Sequence, residues 1–289
     1  MTVPQDRFAL PTNTLRIAAA QAPVVPGDVE ANAARAAELV AQAGADGVRL
    51  VVFAEKFLTG YEPELIASDP IRFTVTEDDP RLAPIAAACR AAGTAAVLGA
   101  ATRDGDGVLR ISALVFGSDG EPVARYDKQH QFGAEPEVFA PGAAGCTLEL
   151  DGWRLGLGVC YDSGFPEHAR AAALDGCHAY LVGALFGTGG GRRQRAVWFP
   201  ARALDNTMYV LLANHVGATG GWDTCGGSAV WGPDGGLLAD AGEAGAGLAT
   251  AELDPAVLGA VRAELTMLGE IAGRDARIAA GPRTRAKLS

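Results

Sequence analysis

No run of about 18 or more apolar residues, the length that a membrane-spanning helix requires, occurs in this 289-residue chain, although 49% of its residues are hydrophobic. The first residues, Met1 to Arg16, also lack a basic stretch followed by an apolar one. Such a stretch is the pattern of a secretory signal. The sequence therefore predicts a cytoplasmic protein that has no membrane partner.

Cysteine is scarce, and no two cysteines have the C-x-x-C spacing that structural zinc sites and redox motifs use. The five cysteines are dispersed along the chain as Cys89, Cys146, Cys160, Cys177 and Cys225. An odd and dispersed set predicts reduced thiols rather than a disulfide scaffold. We expect no metal and no other cofactor.

Basic residues are outnumbered, with 24 Lys+Arg against 34 Asp+Glu and a formal net charge of -10. Nucleic acids and anionic membrane surfaces bind basic patches, so neither is an expected partner. The densest glycine cluster, GTGGG at 187–191, predicts a flexible loop. It lacks the G-x-x-x-x-G-K-[ST] pattern of a phosphate-binding loop, so a nucleotide-binding module is a weak alternative.

Short apolar runs alternate with amphipathic segments, which predicts an α/β chain. We expect strands over 15–20, 48–54, 96–101, 111–116, 154–159, 179–182, 209–213 and 228–231. We expect helices over 28–43, 82–92, 166–174, 192–206 and 255–268. No Pro/Ser-rich linker and no internal repeat is evident, so residues 1–289 are predicted to form one domain. In the clearest helix, Asp28 is the expected N-cap, and Gly44 is expected to end the helix in the left-handed conformation.

Two reactive side chains directly follow predicted strands. Glu55 ends a fully apolar run, where burial would raise its pKa and make it a usable general base. Cys160 lies between a strand and a helix, a placement that resembles a nucleophile elbow although the G-x-S-x-G sequence is absent. The alternatives are a solvated carboxylate for Glu55 and an inert buried thiol for Cys160.

Lys128, taken alone, is an ordinary surface lysine, and the four histidines form no triad or zinc-ligand pattern. Three sequence blocks in order are more specific: VVFAEKFLTGY (51–61), YDKQH (126–130) and GVCYDSGFPE (158–167). Together they resemble the nitrilase superfamily of carbon–nitrogen hydrolases. Secondary matches extend the resemblance over about 15–253, which we take as the core of the domain.

The resemblance implies a four-layer α-β-β-α sandwich and a homodimer or higher homo-oligomer. It also implies a catalytic triad of Glu55, Lys128 and Cys160, with Glu135 as a second glutamate that orients Lys128 or the substrate nitrogen. Tyr61, Tyr161 and Phe186 lie beside or near the matched blocks and are candidates for the substrate pocket; the alternative is that they are core residues. The basic C-terminal segment, about 270–289, is expected to be a solvated or partner-clasping tail.

The implied substrate is a small non-peptide amide, cleaved through a cysteine thioester with release of ammonia. The sequence Cys160-Tyr161-Asp162 resembles the amidase branches more than the Cys-Trp-Glu of true nitrilases. The family's usual proline before the glutamate is Ala54 here, and Gly164 replaces an arginine that binds substrate carboxylate in N-carbamoyl amino acid hydrolases. Such a hydrolase, with Arg170, Arg192 or Arg193 in that role, is an alternative, as are a nitrilase and a catalytically silent scaffold.

Overall fold

The computed structural model describes residues 8–274 and 282–288, which form two large β-sheets with helices packed outside them. The strands are β1 (Leu15–Gln21), β2 (Leu50–Val52), β3 (Ala95–Arg103), β4 (Leu109–Phe116), β5 (Pro122–Asp127), β6 (Gly145–Leu150), β7 (Trp153–Val159), β8 (Ala179–Ala184), β9 (Tyr209–Asn214), β10 (Val216–Thr219), β11 (Trp222–Cys225), β12 (Ala229–Trp231), β13 (Leu237–Asp240), β14 (Gly247–Leu253) and β15 (Arg283–Lys287). The helices are α1 (Val29–Ala45), α2 (Pro63–Ser68), α3 (Pro70–Phe73), α4 (Ala83–Ala92), α5 (Pro166–Leu174), α6 (Gly190–Asn206), α7 (Pro255–Glu264) and α8 (Met267–Arg274). Within these described residues, we find no helix that is both long enough and apolar enough to cross a membrane.

Each large sheet has a parallel centre extended by antiparallel strands. The six-stranded sheet has the order β14-β1-β2-β3-β4-β5, in which β1, β2 and β3 run parallel. The seven-stranded sheet has the order β13-β12-β9-β8-β7-β6-β15, in which β7, β8 and β9 run parallel. A short hairpin of β10 and β11 forms a third sheet. The carboxyl ends of parallel strands, where α/β proteins place their sites, thus occur in both large sheets.

The side-chain alternation of the strands divides the core into layers. In β1, Ile17 and Ala19 join apolar residues of the second sheet, whereas Ala18 and Ala20 join those of α1 and α4. The opposite face of the second sheet packs against α5, α6 and α8. Strands covered on both faces are apolar throughout, which explains the runs seen in the sequence. The result is the predicted α-β-β-α sandwich.

The predicted strands and helices are present, with shifts at some ends. The predicted helix over 255–268 is two helices, because α7 ends before Leu265 and α8 begins at Met267. Asp28 caps α1 as predicted, accepting a hydrogen bond from the Ala31 amide. The expectation for Gly44 is wrong, since α1 continues through it to Ala45. A Cβ at Gly44 would clash with Ala92 of α4, so this glycine serves close helix packing instead.

The prediction of a solvated C-terminal tail is wrong for residues 282–288. They include β15, which pairs in parallel with β6 and adds an edge strand to the second sheet. Arg283 donates hydrogen bonds to the Cys146 carbonyl oxygen and to the Thr147 hydroxyl. Leu288, beyond the strand, is 3% exposed. The rest of the predicted tail beyond α8, residues 275–281 and Ser289, lies outside the described residues.

Candidate active site

Glu55 lies on a tight turn that follows β2. This turn packs between the two large sheets. A Cβ on Gly99 of β3 or on Gly183 of β8 would overlap backbone carbonyls of the two residues that precede Glu55. These glycines therefore allow the turn to contact both sheets. The carbonyl oxygen of Glu55 accepts a hydrogen bond of 2.6 Å from His215 Nε2. Contacts of its backbone with both sheets and with His215 therefore fix this turn, independently of the Glu55 side chain.

Lys128 joins two carboxylates at the centre of the site. Its Nζ donates hydrogen bonds of 2.7 Å to Glu55 Oε1 and of 2.7 Å to Glu135 Oε2, and all three side chains are buried. An ammonium group has three donors, so a third is left for another acceptor. The other Glu55 oxygen, Oε2, is buried and accepts no hydrogen bond within the described part of the chain.

Glu135 is held at both of its oxygens. Oε2 also accepts a hydrogen bond of 2.8 Å from the Phe132 amide, and Oε1 accepts one of 2.6 Å from the Tyr61 hydroxyl. The ammonium of Lys56 lies 3.5 Å from Oε1. All these contacts fix the Glu135 carboxylate in place beside the Lys128 ammonium.

Cys160 follows β7 on a strained turn. Its φ is 46°, in the left-handed region that few non-glycine residues adopt. A 3-10 turn then leads from Cys160 to Gly164, and α5 begins at Pro166. This is the strand–turn–helix arrangement predicted from the sequence, in which a nucleophile is presented on a sharp bend.

Asp162 holds this bend from behind. Its Oδ2 accepts hydrogen bonds from the Val159 amide at 2.9 Å and from the Tyr126 hydroxyl at 2.7 Å. Its Oδ1 accepts the His130 amide at 2.9 Å, and the His130 ring is also in contact with it. The backbone that carries Cys160 is thereby tied to the segment that carries Lys128.

The surroundings shift the pKa values of the four ionisable groups in different directions. Burial raises the pKa of Glu55 above its usual range, although Lys128 opposes this shift. Burial and the negative charge of Glu55 raise the pKa of the Cys160 thiol, again against Lys128. Burial alone would lower the pKa of Lys128, but Glu55, Cys160 and Glu135 outweigh it and raise that pKa. Burial would raise the pKa of Glu135, but Lys128 and Lys56 keep it low. Glu55 is thus the carboxyl group best suited to take up and release a proton.

Cys160 lines a cavity whose walls are mostly aromatic, aliphatic or small. The other lining residues are Tyr61, Phe132, Tyr161, Leu185, Phe186, Gly187, Thr188, Gly191, Gln194, Trp198 and Trp222. No Asp, Glu, Lys or Arg side chain belongs to this described lining. The three predicted pocket aromatics, Tyr61, Tyr161 and Phe186, all lie in the wall, and their part in substrate binding stays a prediction.

The segment 187–191 lines the cavity without being a free loop. Gly187 forms an isolated β-bridge with Thr224, and α6 begins at Gly190. The prediction of a flexible loop is therefore wrong for these ends, because one is paired and the other is helical.

The arginines that were candidates for binding a substrate carboxylate lie outside the described cavity lining. Arg170 donates to the Asp205 carbonyl oxygen, and Arg192 forms an ion pair of 3.1 Å with Glu243. Arg193 is exposed. The structure thus gives no support to an N-carbamoyl amino acid hydrolase in which one of these arginines binds the substrate carboxylate.

Two buried residues of the site, Lys56 and Asp162, were missed by the sequence analysis. Both stand inside the matched blocks, beside Glu55 and Cys160 respectively. That proximity was the available signal, but only the structure shows that their side chains turn inward. Among the residues described, there is no group of three or more His, Cys, Asp or Glu side chains that could hold a metal ion.

Known proteins are similar to this chain over most of its length. The carbon-nitrogen hydrolase family profile matches residues 16–263. A Pseudomonas protegens protein named "Hydrolase in pqqF 5'region" is 36% identical over 79% of this chain and 79% of its own length. A nitrilase of Pyrococcus abyssi is 33% identical over 77% of this chain and 83% of its own length. The crystal structure of an amidase from Nesterenkonia sp. superposes with a TM-score of 0.76 at 32% identity, covering 87% of this chain and 95% of that one.

The sandwich fold and the buried Glu–Lys–Cys site define a hydrolase that acts on carbon–nitrogen bonds other than peptide bonds. More specifically, the chain belongs to the carbon–nitrogen hydrolase family of the nitrilase superfamily.

Proposed function

We propose that this protein hydrolyses a small, uncharged carboxamide through a thioester on Cys160 and releases ammonia. One observation carries the proposal. The ammonium of Lys128 is held 2.7 Å from each of two buried carboxylates beside a cysteine that lines an apolar cavity. This arrangement supports a mechanism in which a base, a fixed cation and a nucleophile act around one point.

Acylation would begin with transfer of the Cys160 thiol proton to Glu55, whose Oε2 has no other described partner. The sulfur attacks the amide carbon, and the carbonyl becomes an oxyanion. The third Lys128 proton and the Tyr161 backbone N–H are the donors for that oxyanion. Loss of one such donor typically costs about 10²–10³ in rate. Glu55 then protonates the amide nitrogen, the C–N bond breaks, and ammonia leaves.

Deacylation would use the same groups in the reverse sense. Glu55 removes a proton from water, the hydroxide oxygen attacks the thioester carbon, and the oxyanion forms again beside Lys128. The C–S bond breaks, the carboxylic acid leaves, and the sulfur regains a proton from Glu55. Glu135 keeps Lys128 charged and in place through both steps.

The cavity supports an uncharged acyl group. Its described lining contains no ionised side chain, whereas a dicarboxylic ω-amide or an N-carbamoyl amino acid carries a carboxylate that would need a cationic partner. Related structures of the Nesterenkonia amidase are complexes with acrylamide and butyramide. Other relatives are ω-amidases, such as one from yeast that is 31% identical over 52% of this chain, so charged amides belong in the test.

The test is ammonia release from butyramide, benzamide, an ω-amide, a nitrile and an N-carbamoyl amino acid. We expect release from the uncharged amides, reduced at least about 10⁴-fold in Cys160→Ala because the nucleophile is lost. Cys89→Ala, which removes a buried thiol of α4, is the matched control and should retain activity. Undiminished activity in Cys160→Ala would refute the mechanism. Release confined to the nitrile or to a carboxylate-bearing substrate would refute the substrate class, and a fully inactive wild-type protein would favour a silent scaffold.

A further inference from the structure

Lysine is rare among the basic residues of this chain, which draws attention to Lys56. The sequence has 24 basic residues but only three lysines, Lys56, Lys128 and Lys287, and every other one is arginine. Lys56 and Lys128 are 0% and 1% exposed and lie in the same cluster, whereas Lys287 is exposed on the edge strand β15. Lysine offers a compact point charge that the larger guanidinium cannot replace in a confined site.

Lys56 lies close to three groups that favour a cation. Its Nζ lies 3.5 Å from Glu135 Oε1 and 3.5 Å from the centre of the Tyr61 ring. The Phe139 ring centre is 5.1 Å away. An ammonium over the face of an aromatic ring is attracted by the ring quadrupole, most strongly when both are desolvated.

The backbone of Lys56 is itself unusual. Its φ of 49° places it in the left-handed region, directly after Glu55. Strained conformations of this kind persist where the surrounding structure fixes them, and they cluster at functional sites. A residue held this way on the turn of the candidate base has a defined orientation toward the cluster.

The charges of the cluster balance only if Lys56 is included. Glu55 and Glu135 with Lys128 alone would leave one negative charge uncompensated among side chains that are at most 2% exposed. An uncompensated buried charge is strongly destabilising, so a second cation is required if both carboxylates are ionised. The pKa of Lys56 is lowered by burial, and Glu55 and Glu135 act against this shift.

We propose that Lys56 is a positioning residue of the hydrolytic centre, whose charged ammonium shares the negative charge of Glu135 with Lys128, so that the charge of Lys128 also serves Glu55 and the oxyanion. The proposal rests on the proposed function for its catalytic meaning. Lys56 does not line the cavity and acts through its neighbours. The ionisable groups that interact with it are Glu55, Tyr61, Lys128, Glu135, Cys160 and His215.

The test removes the positive charge of Lys56 and keeps most of the length of its side chain. Lys56→Met is an apolar replacement, and Lys56→Gln also keeps a donor for Glu135. Loss of a nearby positive charge disfavours the ionised forms of Glu55 and Cys160. Both limbs of the pH profile of kcat/KM for butyramide should therefore move to higher pH by about one unit. Lys287→Met, on the exposed strand, should leave the profile unchanged.

Two results would overturn this role. The first is a folded Lys56 variant whose pH limbs equal those of the wild type, whatever its kcat/KM. A residue that only packs against its neighbours would leave the limbs in place, so this result would refute a charge role. If neither variant folds, the three lysines of the wild-type protein are few enough to titrate individually by NMR after ¹³C labelling at Cε. All three must be ammonium groups at the pH of maximal activity, and one neutral buried lysine would refute the charge balance.

A second readout separates this inference from the proposed function. Alkylation of Cys160 by iodoacetamide, located by mass spectrometry, reports the thiol without requiring turnover of an amide. Its pH limb should also move up in Lys56→Met. If the alkylation limb moves but the protein hydrolyses none of the panel, the proposed substrate is refuted and the charge role of Lys56 is supported. If the limb does not move in an active enzyme, the charge role of Lys56 is refuted and the proposed function is supported.

Discussion

Two glycines decide where Glu55 can lie, although neither takes part in the chemistry. Gly99 belongs to the first sheet and Gly183 to the second, and the turn that carries Glu55 is in contact with both. The distance between the candidate base and Cys160 therefore depends on how closely this turn approaches β8. Small residues at these positions serve the geometry of the site rather than the flexibility of the chain.

We expect Gly183→Ala to lower kcat/KM about 10²-fold, because the added methyl group would push the Glu55 turn away from Cys160. Activity on butyramide and the urea midpoint of unfolding would be measured together. Gly105→Ala is the matched control, since a Cβ there meets open space and its φ lies outside the left-handed region. A Gly183→Ala enzyme with wild-type kcat/KM would show that the turn tolerates displacement.

Sequence reasoning about individual residues succeeded where the order of motifs was informative. The order of the matched blocks predicts Glu55, Lys128 and Cys160 as one site, and the family resemblance adds Glu135. The structure brings these four residues together. The sequence does not indicate a role for Lys56, because a lysine next to a glutamate is most often solvated. Its burial follows from the strained turn and the packing of two sheets, and no local pattern encodes either.

At the scale of elements, the sequence predicts the parallel central strands, but it does not predict β6 inside the second sheet or the edge strands β5 and β15. β1, β7 and β9 are almost wholly apolar, so their sequence alone indicates a covered strand. β5 (PVARYD) and β15 (RTRAK) lie at sheet edges and carry charged side chains, which read as loop or tail. Charged side chains on an edge strand discourage pairing with other chains. The same charges that obscure these strands in the sequence therefore also protect the sheet edges from aggregation.

Arg283 is the residue that most firmly fixes β15. Its side chain is 5% exposed, contacts the Cys146 carbonyl oxygen and the Thr147 hydroxyl, and lies 3.5 Å from Asp175. We expect Arg283→Ala to lower the free energy of unfolding by about 1–3 kcal/mol, because buried acceptors lose their donor. Thr284→Ala, an exposed position on the same strand, should have little effect. Equal urea midpoints for wild type and Arg283→Ala would mean that the Arg283 side-chain contacts contribute nothing to stability.

At the scale of the whole molecule, the site exists only while the two sheets are stacked. Glu55 and Lys128 follow strands of the first sheet, and Cys160 follows a strand of the second. The apolar core between the sheets therefore supports the site as well as the fold. The homo-oligomer and the cytoplasmic location implied at the outset stay predictions.

Stability of the whole molecule should weaken in mild acid because histidines are buried in the neutral form. His178 Nδ1 accepts a hydrogen bond from the Arg154 amide at 3.0 Å, and Nε2 donates to the Ala9 carbonyl oxygen at 2.9 Å. Burial, with Arg262 nearby, lowers the pKa of His178 to about 3. Burial also lowers the pKa of His215 to about 4. Both rings would take up protons in the unfolded chain below about pH 6.5 but not in the folded protein.

The folded-state pKa of His178 is therefore below its unfolded value, so its contribution is complete above pH 6.5 and declines as the pH falls toward 3. Between pH 7.5 and pH 5.0 this linkage costs about 2 kcal/mol of unfolding free energy. His178→Gln cannot titrate, so we expect it to be less stable than wild type at pH 7.5 but to lose about 2 kcal/mol less on acidification. Urea unfolding of both proteins at the two pH values measures this difference. Equal losses would show that His178 is protonated in the fold, and that its hydrogen bond from Arg154 does not hold the ring neutral.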